Sequence, residues 1–92
     1  MLDFDWISWD DEDTEGFNNV DHIAAHDLTP EDVEYVLYSP DAVLGTSITS
    51  DRPVVFGWTP DGRYIIVVYE LTEEGSVRVV YPITAYEIEP QD

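Results

Sequence analysis

Six side chains in this sequence stand out as candidates for handling protons or phosphates: His22, His26, Arg63, Arg78, Tyr81 and Tyr86. An imidazole exchanges a proton near neutral pH, a phenol can donate one, and a guanidinium can neutralise charge building on a phosphoryl oxygen. Arg63, Arg78 and His26 are therefore the candidate catalytic set for cleaving a phosphodiester, with His22, Tyr81 and Tyr86 as further proton carriers. If Arg63 and Arg78 lie on neighbouring strands they could converge on one phosphate; the competing reading pairs each with an acid on the sheet surface.

The histidines also invite a metal reading, since residues four apart share a helix face. The glutamate that follows the first histidine in zincin motifs is Ile23 here, so a hydrogen-bonding pair is expected, with no metal or other cofactor. Asp10-Asp11-Glu12-Asp13-Thr14-Glu15-Gly16 offers carboxylates to calcium but lacks the EF-hand spacing, and it reads as an exposed acidic loop.

Charge restricts these options. Three arginines, no lysine and 21 acidic residues give a net charge of −18. Such a surface repels nucleic acid, anionic lipid and polyphosphates, and it suits either a saline surrounding or a basic protein partner. The absence of cysteine excludes disulfide and thiolate chemistry and fits a reducing compartment. No basic leader precedes an apolar segment at Met1-Leu2-Asp3-Phe4-Asp5, and no apolar run reaches the roughly 20 residues of a membrane span. A cytoplasmic protein without membrane association is expected.

The elements that must position these groups follow from local patterning. A hydrophobic content of 43% over 92 residues predicts one folded domain, 1–92, with the acidic loop near 10–16 and a short flexible tail near 87–92. Arg63 to Leu71 is a nearly unbroken apolar run between Pro60-Asp61-Gly62 and Thr72-Glu73-Glu74-Gly75, which predicts a central strand buried on both faces. Val54 to Trp58 and Val77 to Tyr81 read as its antiparallel neighbours. Pro82 must sit at a strand end, bulge or edge. Phe4 to Trp9 and Ala42 to Leu44 are candidate short strands.

Asn18 or Asn19 can cap a helix through His26, with Phe17, Val20, Ile23 and Ala24 on one face. Thr29-Pro30-Glu31-Asp32 starts a second helix that Ser39-Pro40-Asp41 ends. Thr84 to Asp92 could begin a last helix. The fold class expected is α+β, two short helices packed on an antiparallel sheet of three to five strands.

The order of motifs resembles the BrnT-like toxins of bacterial toxin-antitoxin pairs, compact ribonucleases of RelE-like fold. The matching stretches are Trp9-Asp10-Asp11-Glu12, Val20 through Glu34, Phe56-Gly57-Trp58, Gly62-Arg63-Tyr64 and Pro82-Ile83-Thr84-Ala85-Tyr86. The resemblance implies an RNA-cleaving ancestor and an antitoxin partner. In that family arginines stand where this chain has Trp58, Tyr81 and Tyr86, and a basic C-terminal helix follows; only Arg63 matches. The implied function is thus a catalytically degenerate module that binds an antitoxin-like protein or a second copy of itself. The alternatives are an active endoribonuclease using the remaining arginines, with RNA as substrate, and an acidic decoy for a basic nucleic-acid-binding protein. Aromatic residues too numerous for a small interior, among them Trp6, Trp58, Tyr35 and Tyr38, fit protein binding.

Overall fold

The computed structural model describes residues 2–10, 18–47 and 51–90. The chain forms β1 (Trp6–Ile7), α1 (Asn19–Ala24), α2 (Pro30–Tyr38), β2 (Val43–Thr46), β3 (Pro53–Trp58), β4 (Tyr64–Glu74) and β5 (Val77–Glu87). These make one five-stranded sheet in the order β1-β5-β4-β3-β2. The class is α+β, as expected, but the sheet is mixed. The β2 to β5 strands pair antiparallel, whereas β1 runs parallel to β5, with Trp6 opposite Val79 and Ile7 opposite Val80. The acidic stretch from residue 11 onward lies outside the described residues; Asp10 is inside them.

Each helix begins where a side chain satisfies its free N–H groups. Asn18 caps α1 by accepting from the backbone N–H of Val20 (2.9 Å) and Asp21 (3.2 Å). Thr29 caps α2, and Asp32 completes a capping box: its N–H donates to Thr29 Oγ1 and its carboxylate accepts from the Thr29 N–H. Between the helices Asp27 takes the left-handed conformation (φ 61°), which lets the Leu28 N–H reach back to Ile23 O at 3.1 Å. That closure turns α1 sharply into α2 and buries Leu28 and Ile23 together.

Both helices cover one face of the sheet. Ile23, Val33, Val36 and Leu37 meet Val55, Ile65, Val67 and Ala85 in a single buried cluster. The expected face of α1 holds at Ile23, but Ala24 is exposed and Phe17 lies outside the described residues.

The expectation of a strand buried on both faces is corrected. Along β4, Ile65, Val67 and Tyr69 are buried while the alternate positions Ile66 and Val68 are only half-buried, the mark of a sheet packed mainly on one side. β4 also runs on through Thr72-Glu73-Glu74 before turning at Gly75 (φ 62°). Thr84 to Glu87 are not a helix: they extend β5 against β4, because Ala85 and Glu87 have Val67 and Ile65 as partners. Pro82 sits, as its missing N–H demands, at a bulge where the register shifts between Val68 and Tyr69.

Candidate functional site

Arg63 stands just before β4, and its guanidinium ties three segments together. Nε donates to Asp61 Oδ2 at 2.9 Å, Nη1 to the carbonyl oxygen of Asp27 at 2.7 Å, and Nη2 to Asp32 Oδ2 at 3.2 Å. One fork thus fastens the β3–β4 turn to the bend between the helices and to the capping box of α2. The hydrogen bond to Asp61 raises the guanidinium pKa above its ordinary value. Asp61 is lowered in return, first by the hydroxyl of Thr59 and then by Arg63. Asp32, Asp61 and Glu87 all contribute to the field at this one cation, so its surroundings are net negative.

Arg78 is far from it. It lies opposite Glu73 near the other end of the β4–β5 hairpin, so ten residues of strand at about 3.3 Å each place the two arginines roughly 30 Å apart. Arg78 instead pairs with Asp3 and Glu73, both at 3.1 Å, and its N–H donates to Asp5 Oδ2 at 2.6 Å. Arg52, which has no role in the candidate set above, is paired with Glu70. Every arginine in the chain is therefore engaged by a carboxylate.

His26 falls just past α1 at the same end of the molecule as Arg63, its ring 5.8 Å from that of Tyr86 and 6.2 Å from that of His22. Among the described residues no group of three or more His, Asp or Glu side chains is placed to hold a metal ion.

Tyr81 has a structural engagement. Its hydroxyl donates to Asp10 Oδ2 at 2.6 Å, and burial, then that hydrogen bond and the Asp10 charge, push its pKa up to about 12. A phenol so held gives up its proton poorly at neutral pH. Asp10 Oδ2 also accepts from the N–H of Asn19 at 3.0 Å, and Asn19 Oδ1 accepts from the N–H of Asp10 at 2.8 Å.

The remaining distinctive surface is aromatic. Tyr35, Tyr38 and Trp58 are exposed beside a cleft between α2 and the β2–β3 edge, with Trp58 packed on Tyr64 at 4.9 Å between ring centroids. Aromatic excess in the sequence pointed to such a surface; its location depends on the pairing of Trp58 with Tyr64 across β3 and β4.

No helix among the described residues is long and apolar enough to cross a membrane. No protein-family model matches the chain, and no curated protein matches it.

Proposed function

We propose that this chain acts by binding a basic protein and not by cleaving RNA, as a BrnT-like, RelE-like protein whose phosphate-handling groups have been turned to structural use. The observation that carries this reading is that the guanidiniums of Arg52, Arg63 and Arg78 are all occupied by carboxylates. Displacing a phosphate into any of them must first break charge-assisted bonds, against a net charge of −18. Support for the kinship is the order of elements: a capped helix pair, then a meander carrying Phe56-Gly57-Trp58 and Gly62-Arg63-Tyr64. A basic nucleic-acid-binding protein is a partner of the required sign, and so is an antitoxin-like protein that carries a basic segment.

The enzyme reading draws on one feature, that Arg63, His26 and Tyr86 occupy the same end of the sheet. Incubating structured and unstructured RNA with the protein at low and high salt separates the two. Intact RNA at both salts is expected. Cleavage by the wild type that disappears in a folded Arg63→Ala variant would establish the enzyme instead.

A further inference from the structure

Two clefts lie side by side, one along the outer face of α2 and the residues that follow it, the other where the end of α2 meets β2, β3 and the start of β4. Each has a volume of about 420 Å³, and they share Tyr35 and Ser39. Helical spacing builds the first: Glu31 with Tyr35, and Glu34 with Tyr38, are pairs four residues apart on the face opposite the buried Val33, Val36 and Leu37. The second carries the surface on to Asp41, Trp58 and Tyr64. Aromatic rings and carboxylates line both, and among the described residues neither wall contains a cationic side chain.

The rings are uncovered, and two of the three are held by a neighbouring ring. Tyr35, Tyr38 and Trp58 are 53%, 57% and 51% exposed, while Tyr38 leans on Phe4 at 5.0 Å and Trp58 on Tyr64 at 4.9 Å. Rings fixed before binding lose little freedom when a partner arrives.

Charge decides among occupants. A second copy of this chain would bring its own −18, and RNA would set phosphates against Glu31, Glu34 and Asp41. An arginine or lysine side chain satisfies both halves of the wall: its cationic head over the face of Trp58 or Tyr35 or against the carboxylates, its aliphatic stem along the rings. We infer that this aromatic, acid-lined groove docks a basic segment of a partner protein, rich in arginine or lysine with apolar residues between them. The inference rests on the protein-binding reading above and names where on the chain it happens.

A short synthetic peptide alternating arginine with leucine is the probe, titrated into isotope-labelled protein while amide NMR shifts are followed at low and high salt. Shifts are expected along α2 and β3, with affinity falling as salt rises. Tyr35→Ala with Trp58→Ala should weaken binding about tenfold, as expected for loss of two aromatic contact residues. Glu31→Gln with Asp41→Asn should flatten the salt dependence, and Trp6→Ala, an exposed ring outside the groove, should change nothing. The amide spectrum of each variant reports its fold, and Tyr35→Ser replaces the aromatic double variant if that one unfolds. Undiminished affinity in the aromatic variants, or shifts confined to another face, overturns the groove while leaving the protein-binding reading standing. No binding of the peptide at any salt overturns both, and so does self-association through these rings or preferential binding of RNA there.

Discussion

Asn19 Nδ2 donates to the carbonyl oxygen of Pro82 at 2.9 Å, joining the first turn of α1 to the bulge of β5 across 63 positions of sequence. The same nitrogen donates to Ser8 O at 3.1 Å, so one fully buried amide ties α1, β5 and the segment after β1 together. No buried side-chain polar atom is left unpaired among the described residues, and Asn19 is central to that condition. Asn19→Ala strands two carbonyl oxygens and the Asp10 N–H at once. A loss of about 2–4 kcal/mol in urea unfolding is expected, more than a surface asparagine would cost.

Arg63 and Arg78 should behave differently although both are paired. Arg63 is 23% exposed and spans three segments, whereas Arg78 is 44% exposed and its partner Asp3 is 88% exposed. Arg63→Ala should cost about 1.5–3 kcal/mol, and Arg63→Lys should recover little, since a point charge cannot replace the fork. Arg78→Ala should stay within about 0.5–1 kcal/mol of wild type. Equal costs for the two alanine variants in chemical denaturation would refute the assignment of Arg63 as the clamp.

Gly57 lies where α2 crosses β3. A Cβ built there would come within 2.9 Å of Val36 Cγ1, and Val36 is fully buried. The strand cannot yield without breaking its pairing with Ile65. Gly57→Ala should therefore destabilise by about 1–3 kcal/mol through overpacking, with Val36→Ala in the Gly57→Ala background relieving part of the loss. Thermal melts of the two single variants and the double variant make the comparison.

The alkaline limb of stability should report Tyr81. Its folded pKa, about 12, lies above the ordinary 10.0, so the folded state holds the proton more tightly than the unfolded chain does. The extra stability is fully present below pH 10.0 and drains away as pH rises from there to about 12. Tyr69, raised by burial, adds in the same direction. No lysine contributes to this window. Tyr81→Phe should cost about 1 kcal/mol at neutral pH and make the alkaline decline shallower, as read from urea midpoints on either side of the window.

What the sequence disclosed was what its local chemistry dictates. Thr29-Pro30 announces α2 because cap and first-turn preferences act within four residues, and Pro82 announces a strand end, bulge or edge because it lacks an N–H, the pairing with β4 deciding for the bulge. The run Ile65 to Val68 misled because composition cannot tell a strand buried on both faces from one whose second face is half-covered by its neighbours. Thr84 to Glu87 is too short for either periodicity to declare itself, and only its pairing with β4 makes it a strand. Asp27 and Asp32 as partners of Arg63, 36 and 31 positions away, are visible only after the helices fold back on the sheet. A surplus of acid favoured the reading in which Arg63 and Arg78 pair with carboxylates, but it did not place them at opposite ends of a hairpin.

Salt should stabilise this protein. Of 21 carboxylates only three can be offset by arginine, and mutual repulsion among the rest opposes compaction. Screening acts on both signs of interaction, so the exposed pairs Arg52–Glu70 and Arg78–Glu73 weaken as well, but such pairs contribute at most about 1 kcal/mol each. Repulsion is the larger sum and the longer-ranged one, and it fades as the screening length falls from about 10 Å at 0.1 M to about 3 Å at 1 M. The thermal midpoint should therefore climb with sodium chloride across that range. Sodium sulfate, matched for ionic strength, adds a strengthening of apolar burial to the same screening, so the excess of its effect over that of chloride measures the second contribution. A midpoint that falls with chloride would mean that the ion pairs, above all those of Arg63, outweigh the repulsion of the surrounding acids.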